Sequence, residues 1–181
     1  MVSKMFKNIS TIIAIGLAMA GCSDKGKLSE LEEGLSQSFN DIEHITPTAL
    51  TQWRGSEKTT IIFDVREEDE FAVSHIEGAI HISPKATAAD IQALLPENAD
   101  GSDVIFYCSV GARSSQLAQR SKQVLQEAGV RKIANLRGGI FRWHNEKRSL
   151  QSHGKPSEYV HPYNRSWRTL LEREDYARMQ P

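Results

Sequence analysis

The chain is poor in cysteine, with only Cys22 and Cys108 among its 181 residues. None of its six histidines falls in a His-x-x-x-His spacing and the cysteines are unpaired, so the sequence gives no support for a metal site. It also lacks a complete Gly-x-x-x-x-Gly-Lys-Ser/Thr phosphate loop and a Gly-x-Gly-x-x-Gly fingerprint, which leaves no nucleotide or dinucleotide cofactor indicated. There is no excess of charge: 22 Lys plus Arg stand against 23 Asp plus Glu, which argues against binding to DNA or RNA. Repeats and low-complexity segments are absent as well. A composition 39% hydrophobic and 25% charged over this length suits one globular domain with extensions.

What is present centres on Tyr107-Cys108-Ser109-Val110-Gly111-Ala112-Arg113-Ser114-Ser115. Before it, Asp103 to Tyr107 is a short apolar, β-branched and aromatic run of the kind buried on both faces of a parallel sheet. After it, Leu117, Ser121, Val124, Leu125 and Ala128 follow helical spacing, and Gly129 is placed as a C-terminal cap. A loop between strand and helix turns successive backbone N–H groups inward and cradles negative charge. Cys108 opens that loop. A thiolate is the nucleophilic form of cysteine, and it is favoured beside a helix N-terminus and a cation such as Arg113. Gly111 permits a tight turn, and Ser114 is expected to cap the helix while offering a hydroxyl to the loop. The alternative is that Cys108 is a small buried core residue.

These residues resemble the rhodanese domain, a sulfurtransferase module whose active-site loop begins with cysteine and ends with arginine. The six-residue loop Cys108 to Arg113, containing Ser109, Val110, Gly111 and Ala112, is similar to the sulfur-handling branch; the related phosphatases and arsenate reductases use one residue more. Many thiosulfate-using members carry a second basic residue where this chain has Ser109. The likeness extends in order to Asp64-Val65-Arg66, to His75-Ile76-Glu77-Gly78-Ala79 and to Gly138-Gly139-Ile140-Phe141-Arg142-Trp143. It implies Cys108 and Arg113 as catalytic residues and places Asp64 and Arg66 near the site. That pair either supports the loop or forms a structural strand-end pair. His75 and Trp143 read as framework.

The first residues have a different character. Lys4 and Lys7 make a basic start, Ile9 to Ala20 is mostly apolar, and small residues precede Cys22, so residues 1–21 read as a signal peptide. The apolar run is too short to span a bilayer comfortably, which makes an uncleaved anchor the weaker reading. Met19-Ala20-Gly21-Cys22 resembles the lipobox of bacterial lipoproteins, implying acylation of Cys22 and attachment to a membrane at the cell envelope, facing the periplasm. Ser23 is not the aspartate that resembles an inner-membrane retention signal, which favours the outer membrane. A lipidated Cys22 leaves Cys108 unpaired in an exported protein, and catalysis supplies a reason for that thiol. The competing possibility is a Cys22–Cys108 disulfide.

The remaining chain alternates strands and helices. Strands are expected at 42–45, 59–65, 79–82, 103–107 and 133–136, and a helix opens at Thr46-Pro47 with Thr46 as its cap. The expected fold is α/β: a single rhodanese-like domain over 42–150 with a central five-stranded parallel sheet and helices on both faces. Residues 22–41 read as a polar tether, with Leu28, Leu31, Leu35 and Phe39 spaced as a weak amphipathic helix that could instead dock on the domain or a partner. Residues 151–181 carry too many aromatics for a disordered tail; the extension should pack on the domain, or serve a partner, and end in a helix from about Arg165.

The function expected from the resemblance is transfer of sulfane sulfur through a Cys108 persulfide, from a small sulfur-containing anion (thiosulfate, polysulfide or a persulfide) to a thiol, cyanide or protein acceptor. A non-catalytic redox or sulfur-sensing module, or a protein-binding one, is the alternative. Anion hydrolysis is disfavoured by the loop length.

Overall fold

The computed structural model describes residues 24–181; the expectations for the signal segment and for Cys22 lie outside the described residues. Five strands form one parallel sheet: β1 (Glu43–Ile45), β2 (Thr60–Asp64), β3 (Ala79–His81), β4 (Asp103–Tyr107) and β5 (Lys132–Leu136), in the order β1-β5-β4-β2-β3. The expected α/β fold is thus present, with all five strands in place.

Alternate residues of the central strands feed two cores. Ile62 of β2 and Ile105 of β4 join Leu50, Leu136 and Phe141 on one face, while Phe63 and Phe106 join Ile91 and Leu117 on the other. Both faces are therefore apolar, which is why β4 reads as an unbroken hydrophobic run rather than an alternating one. Helices α2 (Pro47–Arg54) and α6 (Gly139–Asn145) cover the first face; α4 (Ala88–Leu94) and α5 (Ala112–Glu127) cover the second. A short helix α3 (Glu68–Val73) follows β2. From β2 the chain moves outward to β3, then returns to β4 on the other side of β2 before reaching β5. The strand order reverses between β2 and β4, and the crevice beyond their carboxyl ends is where such sheets place ligands. Cys108 follows β4 directly.

Both segments outside the sheet pack on the domain, each with one difference from expectation. Residues read as a tether form helix α1 (Asp24–Ser38), docked rather than free. Leu28 and Leu35 are buried, and the helix packs against a 3-10 turn at Trp167–Leu170. The apolar stripe alone is narrow. Docking is completed by Glu32, 6% exposed, whose carboxylate receives Arg142 Nε at 2.7 Å and faces Arg137 Nε at 3.4 Å.

The C-terminal extension wraps the domain but holds no α-helix from Arg165. Two 3-10 turns, Trp167–Leu170 and Glu174–Tyr176, stand there instead. Leu170 and its neighbour Leu171 are both buried, and Leu171 is extended, which ends the turn. The extension opens with a hairpin of β6 (Leu150–Ser152) and β7 (Lys155–Ser157), turned at His153 and Gly154 with φ of 48° and 72°. Gln151 exchanges two backbone hydrogen bonds of 2.9 Å with His75, tying the extension to the turn before β3. Among the described residues no helix is long and apolar enough to cross a membrane.

Candidate active site

The loop after β4 forms because Gly111 takes φ of 108° and starts α5. A side chain there would be strained by the backbone and would press on Asn135 Nδ2 at 2.9 Å. The turn brings the Gly111 N–H to 3.2 Å from Cys108 Sγ. Ser114 does not cap the helix, in contrast to expectation, because Gly111 already occupies the capping position and Ser114 lies within the first turn. Its hydroxyl donates to Asn135 Oδ1 at 2.6 Å.

Cys108 is 1% exposed. Burial opposes its ionisation, yet the charge of Arg113 and the hydrogen bonds from Ser114 and Gly111 prevail, so the thiol titrates below its ordinary value. The sulfur therefore sits at a helix start, where its ionised form is favoured over that of an ordinary buried thiol.

A second helix fixes the outer side of the loop. Ile140 N–H donates to the Cys108 carbonyl at 2.9 Å, and Phe141 N–H to the Ser109 carbonyl at 3.1 Å. These are orphan donors in the first turn of α6, and using them turns the loop carbonyls away from Sγ. The approach is close enough that a Cβ on Gly139, whose φ is 53°, would overlap the Cys108 carbonyl oxygen. The Gly138-Gly139 pair thus acts on the cysteine loop from across the sheet.

Arg113 is held by a residue that sequence reading did not single out. Glu70 of α3, 2% exposed, accepts Arg113 Nη1 at 2.6 Å and Nη2 at 2.9 Å. Ser109 Oγ donates to the same carboxylate at 2.9 Å and accepts Arg113 Nη2 at 2.9 Å. Although burial would raise it, the Glu70 carboxyl is held below its usual range by Arg113, the Glu67 N–H and Arg66. The fork of Arg113 is therefore already paired, and the positive field that it lends Cys108 is partly balanced. Its outer face carries the Tyr163 ring, 4.9 Å from the guanidinium carbon.

Asp64 and Arg66 form a fully buried bidentate pair at 2.8 and 2.6 Å. Arg66 also donates to the Ser74 carbonyl at 2.6 Å, and Tyr107 donates its hydroxyl to Asp64 at 2.5 Å while accepting the Ile76 N–H at 3.1 Å. The group locks the end of β2 to the residue preceding Cys108 and makes no hydrogen bond to the loop itself; its geometry is that of framework. His75 stacks on Phe71 with centroids 3.9 Å apart, and Trp143 donates to the Ser149 carbonyl at 2.9 Å.

Glu70, Asn135 and Tyr163 thus join the site without a sequence signal that named them. Glu70 belongs to a run of acids that reads as solvated surface, Asn135 ends a strand, and Tyr163 lies in the extension.

The rhodanese-like domain model matches residues 46–146, more than half of the chain. The probable adenylyltransferase/sulfurtransferase MoeZ of Mycobacterium tuberculosis is 31% identical over 101 residues, covering 55% of this chain and 24% of its own. The thiosulfate sulfurtransferase GlpE of Coxiella burnetii is 29% identical over 109 residues, covering 58% of this chain and 87% of its own. Thus the chain spans about a quarter of the first of these relatives and most of the second. Among solved structures, the thiosulfate sulfurtransferase of Pseudomonas aeruginosa shares the fold with a TM-score of 0.54 and 20% identity, over 71% of this chain and 23% of that one. With its five-stranded parallel sheet, its cysteine loop between β4 and α5 and that match, the chain belongs to the rhodanese-like domain family.

Proposed function

We propose that the domain is a sulfurtransferase in which Cys108 carries the sulfur. The thiolate attacks the outer sulfur of a sulfane donor such as thiosulfate, a polysulfide or a persulfide. A Cys108 S–S bond forms as the donor S–S bond breaks, and sulfite or a thiolate leaves with the electron pair. A thiol, cyanide or a protein thiolate then takes the terminal sulfur and regenerates Cys108. No external oxidant or reductant is needed.

One observation carries this reading: a cysteine 1% exposed nonetheless titrates below its ordinary value, beside Arg113 and with the Gly111 N–H at Sγ. A persulfide needs the same arrangement, since its terminal sulfur is anionic and requires preorganised donors. The sulfurtransferase names of MoeZ and GlpE support the same assignment. The test is intact-mass analysis of the purified protein after thiosulfate or polysulfide treatment. One added sulfur, mapped to the Cys108 peptide and removed by cyanide, is expected; the same label on Cys108→Ser would place the site elsewhere.

The proposed setting is the bacterial cell envelope, with the domain facing the periplasm and held by lipid on Cys22, on the strength of Met19-Ala20-Gly21-Cys22. Cys22→Ala should release the protein from membranes. A variant that still sediments with them and is processed normally would refute lipid attachment.

A further inference from the structure

We propose that Tyr163, in the extension beyond the matched domain, is the specificity-determining gate of the Cys108 site. Its ring admits slim inorganic sulfur donors and hinders donors whose sulfane sulfur is borne on a bulky organic group. The donor claim rests on the sulfur-transfer reading; the gate itself rests on geometry.

From Cys108 to Ser115 every residue is buried except Ala112 and Arg113, so the loop meets solvent at those two residues. The other flanks are roofed by the two segments outside the family match. Leu35 of α1 would lie 3.7 Å from a Cβ on Gly111, and α1 packs on Trp167–Leu170. Trp167 meets Phe141 edge-on with centroids 6.4 Å apart, and Phe141 is the residue whose N–H holds the Ser109 carbonyl. On the exposed side Tyr163 covers Arg113, standing between it and Trp167 with 4.9 Å to each.

Tyr163 is held there on purpose-built backbone. Its φ is 66°, a left-handed conformation that a tyrosine rarely adopts. The turn is fixed by Tyr163 N–H donating to His161 Nδ1 at 3.1 Å and Asn164 N–H donating to the Pro162 carbonyl at 2.7 Å. His161 is itself 3% exposed. The ring, by contrast, is 41% exposed and joined to the domain by stacking alone, so it can swing without unfolding its anchor. Uncommon backbone over-determined by its surroundings is the mark of a functional position.

The experiment compares the full chain with Tyr163→Ala and Tyr163→Phe. Cys108 is alkylated with iodoacetamide and with a bulky maleimide, and labelling is read on the Cys108 peptide so that Cys22 does not interfere. The bulky reagent should react roughly twofold to fivefold faster with Tyr163→Ala, the factor set by loss of an exposed cation–π contact, while iodoacetamide and the pH midpoint of labelling stay put. Tyr163→Phe, which keeps the ring, should match the parent. In parallel, sulfur uptake from glutathione persulfide should gain over uptake from thiosulfate in Tyr163→Ala alone. Equal alkylation of all three proteins by both reagents overturns the gate while leaving sulfur transfer intact. A shifted pH midpoint in Tyr163→Ala also overturns it, since the ring would then be acting on the thiolate. No sulfur uptake by any of the proteins, with alkylation behaving as expected, removes the donor claim together with the sulfur-transfer reading.

Discussion

Glu70 and Arg113, 43 residues apart in the chain, meet through two hydrogen bonds of 2.6 and 2.9 Å beside Cys108. The carboxylate is buried and the Arg113 side chain is 21% exposed, so the pair is unequal: losing the arginine strands a buried charge, whereas losing the acid frees a cation.

Arg113→Ala should therefore cost stability as well as activity. Removing one partner of a buried pair costs about 3–5 kcal/mol, and Arg113 screening puts the effect toward the lower end. Adding Glu70→Gln to that variant removes the stranded charge and should restore part of the loss. Urea unfolding of the single and double variants checks this; a single variant as stable as the parent would show that the pair is not formed.

Acid should expose the same pair. Because the Glu70 carboxyl titrates below its usual range in the folded protein, the unfolded chain takes up the proton first as pH falls. Its stabilisation is complete above the unfolded value of about 4.3 and disappears as pH drops through the folded value. Glu70→Gln should therefore flatten the decline of the urea midpoint below about pH 5. Parallel declines in the two proteins would count against it.

The thiolate makes its own pH signature. The midpoint of Cys108 alkylation should lie below the ordinary thiol value of about 8.5. Ser114→Ala, which removes the hydroxyl at Sγ while keeping the N–H, should move that midpoint upward. An unmoved midpoint would assign the stabilisation to Arg113 and the backbone alone.

Two glycines with similar backbone should respond differently to alanine. Gly139→Ala must push aside the Cys108 carbonyl and so disturb the loop, whereas Gly154→Ala at φ of 72° meets nothing. The second should cost only the left-handed strain, about 1–2 kcal/mol. Gly139→Ala should cost more and should also slow Cys108 alkylation. Equal melting temperatures for the two would argue against the helix α6 grip.

What the sequence made legible was local. The cysteine loop, the β-branched strand before it and the Thr46-Pro47 helix start each draw on neighbours a few residues away, and Thr46 does accept the Ala49 N–H at 3.2 Å. Partners distant in sequence stayed hidden. Glu70 sits in Glu67-Glu68-Asp69-Glu70, a run in which nothing marks the one acid that turns inward. The hairpin at His153-Gly154 escaped notice because its left-handed pair lacks the usual Asn or Asp. The sequence-based tether failed at Glu32, since only the assembled fold sets Arg137 and Arg142 beside it.

The docking of α1 sets how far the domain could roam. A free segment of about 20 residues would let an anchored domain sweep roughly 70 Å from its attachment. With the chain helical from Asp24 and Leu28 already buried, the proposed lipid on Cys22 would instead hold the domain close to the bilayer. The proposed exchange of sulfur would then be with molecules that reach that thin layer.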